Sequence, residues 1–169
     1  KQAMQSHTGS IAGEDYVFDV ALKKAGILRC DGIEDFFDSA KVFSWEDIPK
    51  GKNIAIISNA GGPAVLSSDF VAQEGLKLVR FDDETRKELE SHLPRAASIL
   101  NPVDVLGDAL AERYENAIKT LIVDDNVHSL LIILTPQVMT QIEETAEVIG
   151  RLSLEYKKPI VCSFMCKFI

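Results

Sequence analysis

From Asn53 onward the sequence alternates short apolar runs with stretches of helical period, and this alternation limits the possible folds more than any other feature. The runs at 54–58 (IAIIS), 76–81 (LKLVRF), 130–135 (LLIILT) and 159–164 (PIVCSF) are nearly continuous in apolar residues. Such runs are expected of strands buried on both faces. Helical stretches fill the gaps at 62–73, 83–93, 109–123 and 140–156. Leu110, Tyr114, Ile118 and Leu121 share a stripe in the third of them, and Ile142, Ala146, Ile149 and Leu152 share one in the fourth. Strand and helix in turn at this spacing form right-handed βαβ units on a parallel sheet. The expected fold class is α/β, a doubly wound parallel sheet between two helical layers.

Upstream of Asn53 the pattern is different. Helical period runs over 14–25 and again over 32–43, where Ile33, Phe36, Phe37, Ala40 and Phe43 fall on one face. ILRC at 27–30 is a short strand candidate, and the polar SWEDIPKGKN, with Pro49 and Gly51, marks a domain boundary. We divide the chain into 1–46 and 47–169; the first part is too small to close a core of its own. The first residue is not Met, and SFMCKFI follows a strand signal with no turn, helix or polar tail. A piece of a longer protein is expected.

Composition narrows the functional classes. With 18 basic against 26 acidic residues the chain carries a formal charge of −8, and its Lys and Arg are scattered. Binding to a nucleic-acid backbone is not expected of such a charge distribution. No apolar run approaches the roughly 20 residues that span a bilayer, and KQAMQSHTGS is too polar for a signal peptide, so a cytoplasmic protein is expected. Cys30, Cys162 and Cys166 match no zinc or redox spacing and are expected to be buried thiols, with no disulfide framework and no metal site.

In an open α/β sheet, ligands bind beyond the carboxyl ends of the strands. After the first strand the chain reads Ser58, Asn59, Ala60, Gly61, Gly62, Pro63 and enters a helix. The glycines allow close approach of a ligand, and the free N–H groups of a helix start attract an anion. Alternatively, Gly-Gly merely makes the tight turn. Neither the nucleotide P-loop nor the dinucleotide fingerprint is present. SILNPVDVLGDA brings Asn101, Pro102, Asp104 and Gly107 together, as turn chemistry or as a site; Asp104 between two valines needs a partner. Thr135-Pro136-Gln137 is polar as well, a third loop or a helix lead-in. His7 lies in SHTGSIAG, among small polar residues that suit a nucleophile accepting and releasing a charged group, or a plain surface histidine. His92 and His128 receive no role.

SHTGSIAGED, AGILR, IEDFFDSAKVF, IAIISNAGGPAVLSSD and NPVDVLGD, in this order along nearly the whole chain, resemble the NDP-forming acyl-CoA synthetases, the superfamily of succinyl-CoA synthetase and ADP-forming acetate–CoA ligase. The resemblance implies a flavodoxin-like domain preceded by the tail of a second, similar domain. It implies that His7 is phosphorylated in turnover: phosphate attacks an acyl-CoA, the acyl phosphate phosphorylates the histidine, and the phosphoryl group passes to ADP. The reverse cycle makes acyl-CoA from a small carboxylic acid, CoA and ATP. Helix starts hold the phosphohistidine, one of them matched by Gly61 and Gly62 with Asn59 beside them; Asn101 and Asp104 match a stretch near the same site. The implied partners are an ATP-grasp domain or subunit, which holds the nucleotide and its magnesium, and a CoA-binding domain, in an oligomeric whole. Ile11 stands where Leu is usual, Glu14 where Ser is common, and GGPAV where GGPGV is more frequent. SFMCKFI lacks the Met-Gly-Gly turn with which relatives continue, so the end of the domain is expected to be absent or altered. The other reading is a ligand-sensing module fused to a protein acetyltransferase domain, in which the histidine is not used.

Overall fold

The computed structural model describes residues 14–165. The chain divides into two compact units, Lys1–Val42 and Phe43–Ile169. The first contains α1 (Asp15–Lys24) and most of α2 (Ile33–Trp45), and neither helix has a buried residue. The apolar stripe of α2 is exposed: Ile33 by 76%, Phe36 by 58% and Phe37 by 57%. ILRC is not a strand. Gly26, at φ 68°, ends α1 with bonds from its own N–H to Lys23 O and from Ile27 N–H to Leu22 O. Arg29 then folds back to pair with Asp15 (2.6 Å) and Asp19, so the segment lies along α1 instead of in a sheet.

The second unit runs β1 (Asn53–Ser58), α3 (Gly61–Gln73), β2 (Lys77–Leu78), α4 (Asp83–His92), β3 (Val103–Asp104), α5 (Ala111–Ile122), β4 (Ser129–Leu134), α6 (Ile142–Glu155) and β5 (Ile160–Phe164). All the strands are parallel, in the order β2-β1-β4-β5, with β3 also paired to β1. One edge of β1 is paired with β4 from Ile54 to Ser58. The other edge is shared: Asn53 and Ile54 pair with β2, Ile57 and Ser58 with β3. Two expectations need correction here. β2 covers two residues of the six predicted, and β3, inside the turn-rich SILNPVDVLGDA, makes a fifth strand.

Alternate residues of the sheet face opposite helical layers. Ala55, Ile57, Leu130, Ile132 and Leu134 join Leu89, Tyr114, Ile118, Leu121 and Leu152 in the larger core. Ile56 and Ile133 pack with Val71 of α3 on the other side. Full burial of such side chains contributes about 1.5–3 kcal/mol each. The connections from β1 and from β4 lead away in opposite directions, making the β1–β4 boundary the topological switch point, where ligands bind in folds of this kind. Among the described residues no helix is long and apolar enough to cross a membrane.

Candidate functional site

At the switch point, β1 ends on buried Ser58, whose hydroxyl donates to Ala60 O (2.9 Å) and accepts from Ala60 N–H (3.1 Å). This closes the turn and leaves Ala60 extended as the N-cap of α3, with no side-chain cap bond. Pro63 has no N–H, so Gly61 and Gly62 supply the first donors of the helix, at the positive end of its dipole. Neither glycine has a positive φ, and a Cβ added at either would meet nothing within 4 Å. The chain's own packing therefore does not require glycine here. The space before the two N–H groups is open to an approaching group.

Two buried side chains bond to the end of β4, one from this turn and one from α5. Asn59, 2% exposed, donates from Nδ2 to Thr135 O (2.8 Å) and accepts at Oδ1 from Thr135 N–H (2.8 Å). Its amide thus continues the β1–β4 pairing beyond the last strand residues. The Tyr114 hydroxyl, fully buried on α5, donates to Ile133 O (2.9 Å). Burial raises its pKa, and the charge of Asp104 acts in the same direction.

Asn101 performs a similar task on the other edge of β1. Between the residues paired to β2 and those paired to β3, the backbone of β1 has no strand opposite it. The Asn101 amide fills the gap: Oδ1 accepts from Ile56 N–H (3.0 Å), and Nδ2 donates to Ile54 O (2.8 Å) and Val79 O (3.0 Å). Both amide hydrogens and the oxygen are engaged inside the sheet.

Asp104 lies beside Ser58 in the β1–β3 pairing, half-buried. Its Oδ1 accepts from Leu106 N–H (2.8 Å), an Asx turn that holds Leu106 at φ 70°, a region a branched side chain rarely occupies. This carboxylate, the Asn59 amide and the start of α3 are set around the ends of β1 and β3, whereas the Asn101 amide lies against the middle of β1. The loop after β4 completes the edge. A Cβ on Gly107 would lie 3.2–3.3 Å from the Gln137 amide, so the loops after β3 and β4 touch. Gln141 Oε1 accepts from Ala111 N–H (3.1 Å), capping α5 from the neighbouring connection. Tyr114 and Gln141 carried no site signal in the sequence, since each reads as part of a helix or its lead-in. His7 and Cys166 lie outside the described residues.

Residues 54–167 match the ligase-CoA domain family, and residues 1–43 match the succinyl-CoA ligase-like flavodoxin domain. The chain belongs to the ligase-CoA domain family. Over 97% of its length it is 35% identical to ADP-forming 4-hydroxybutyrate–CoA ligase of Nitrosopumilus maritimus, covering 23% of that protein. Over 99% it is 36% identical to the alpha subunit of ADP-forming acetate–CoA ligase II of Pyrococcus furiosus, covering 37% of it. The solved acetyl-coenzyme A synthetase 1 of Ca. Korarchaeum cryptofilum, in complex with phosphate and ADP, superposes with a TM-score of 0.86 at 31% identity, over 96% of this chain and 36% of that one. The chain thus spans well under half the length of these relatives, and its α/β fold is that of the solved synthetase.

Proposed function

We propose that this chain is part of an ADP-forming acyl-CoA synthetase of the acetate–CoA ligase type. It would interconvert acyl-CoA, ADP and phosphate with a small carboxylic acid, CoA and ATP. The observation that carries the reading is the similarity of nearly the whole chain to ADP-forming CoA ligases. The open helix start at the switch point supports it.

In this reading phosphate displaces CoA from the acyl thioester, giving an acyl phosphate. His7 takes the phosphoryl group, releasing the carboxylate, and delivers it to ADP. Phosphohistidine carries close to two negative charges, and the chain has a net charge of −8. Local donors must therefore hold the group. The Gly61 and Gly62 N–H groups and the α3 dipole supply them, contributing on the order of 1–2 kcal/mol in a partly buried setting. Asn59 acts on the anion only through the turn it holds. Asn101 positions β1 and β3, and Asp104, with one oxygen engaged by Leu106 N–H, is the one of these side chains with an oxygen left for a ligand.

Residues 1–46 serve as the end of a succinyl-CoA-ligase-like domain, a role the exposed α2 stripe supports, and 47–169 as the ligase-CoA domain. The nucleotide and its magnesium belong to an ATP-grasp domain or subunit, and CoA to a separate binding domain, in a cytoplasmic, oligomeric enzyme. The test is ATP formation by the full-length protein, with its ATP-grasp partner, from acetyl-CoA, ADP, phosphate and magnesium. The 169 residues alone should be silent. No ATP from a panel of acyl-CoAs would overturn the reading.

A further inference from the structure

We propose that a cavity at the opposite, amino-terminal edge of the sheet binds a small organic anion with an apolar body. The cavity measures about 570 Å³, within the range of small-molecule sites. Its apolar wall is formed by Ile122 and Val127, 3% and 1% exposed, together with Pro159. Tyr156 and His128 add rings to the lining. The His128 ring is fixed: its Nδ1 accepts from Asn53 N–H (3.1 Å), and Gly51 packs so closely that a Cβ would lie 2.5 Å from that atom. With Nδ1 engaged, the neutral ring carries its proton on Nε2 and is a donor there.

Charge selects the class of ligand. Three lysines line the cavity against two aspartates, in a chain of net charge −8. Lys158 has a structural duty, donating to Asp124 O (2.6 Å) just beyond the end of α5. Asp125 is close enough to act on the Lys158 charge. Lys50 and Lys157 make no hydrogen bond or ion pair among the described residues, leaving two free ammonium groups against Asp47. Burial lowers the pKa of Lys158, Asp124 and Asp125 oppose that shift, and Lys50 adds to it. An acidic group meeting Lys50 and Lys157 would balance these two ammonium groups. A planar or aliphatic body on Ile122 and Val127, with a carboxylate, sulfonate or phosphate reaching Lys50 and Lys157, satisfies both halves of the lining.

The probe is 8-anilinonaphthalene-1-sulfonate, an aromatic body with one sulfonate, titrated into the full-length protein and followed by fluorescence and by hydrogen exchange. Saturable binding is expected, with protection in 47–53 and 156–159. The Lys50→Gln/Lys157→Gln variant, on the surface and away from the phosphate site, should keep its circular dichroism spectrum. It should bind the probe about tenfold more weakly, the effect of losing one or two charge-assisted contacts. Absence of saturable binding, or equal affinity and equal protection in the variant, overturns the proposal.

Discussion

Replacing Asn101 with alanine tests whether one side chain holds the split edge of β1. The substitution removes three hydrogen bonds, and the groups left behind are unequal. Ile54 O keeps its bond from Val79 N–H (3.1 Å), while Ile56 N–H and Val79 O lose their Asn101 partner on residues 0% and 6% exposed. Two orphaned buried groups at about 1–3 kcal/mol each, and about 1 kcal/mol for the third bond, give a loss of roughly 3–7 kcal/mol. For a domain of this size, at about 2–4 °C per kcal/mol, that corresponds to a fall in Tm of about 6–28 °C. Thermal and urea unfolding of the chain measure it, with Asn53→Ala as control. The Asn53 side chain makes one exposed bond, to Asn126 O (3.0 Å), and its removal should cost under about 1 kcal/mol. Asn101→Asp sharpens the sign. It sets a carboxylate oxygen against two carbonyls, so its pKa in the folded state is raised, and stability should recover as pH falls toward and below the ordinary carboxylate value of about 4. A Tm for Asn101→Ala within about 2 °C of the parent would refute the strand-substitute role.

Gly61→Ala and Gly62→Ala separate fold from function. A Cβ meets nothing within 4 Å and alanine is the better helix former, so stability should hold or rise by up to about 1 kcal/mol. Phosphoryl transfer by the full-length enzyme should fall because the methyl group stands where the anion approaches; unchanged kcat and KM would count against the cradle. Tyr114→Phe, which removes a fully buried bond to Ile133 O, should cost about 1–2 kcal/mol in urea unfolding. No measurable loss would mean that the hydroxyl does not tie α5 to β4. The pKa of Asp82 is lowered by the Thr85 N–H it accepts at the start of α4, and that of Asp108 by Arg113. A carboxylate with a depressed folded pKa stabilises above its unfolded value and loses that contribution as pH falls through the folded one. Acid unfolding should therefore steepen below about pH 4, and less so in Asp82→Asn.

The alternation of apolar runs made the parallel sheet legible because strands buried on both faces leave an unmistakable composition. β3 escaped because two residues are too few to show a period, and their neighbours, Asn101-Pro102 before and Gly107-Asp108 after, spell turns. β2 was over-read because the apolar residues Val79 and Phe81 are core residues of the segment that follows the strand, not part of it. ILRC has the composition of a strand, but the Arg29 pairs that hold it to α1 join residues ten and fourteen apart, beyond any local pattern. The helix start at Gly61 could be read directly, since Gly-Gly-Pro is local chemistry. The work of Asn59 and Asn101 could not: both bond to backbone 22 to 76 residues away, and a side chain that substitutes for a strand looks in sequence like any other loop asparagine.

The central claim is that His7 carries phosphate to the start of α3. The most direct measurement is to incubate the full-length protein and its ATP-grasp partner with γ-labelled ATP and magnesium, then locate the label by peptide mapping. The account predicts acid-labile, base-stable phosphate on His7 that is discharged by ADP and absent from His7→Ala, together with loss of overall acyl-CoA synthesis in that variant. Full overall activity in His7→Ala, or label that remains in it, would contradict the account.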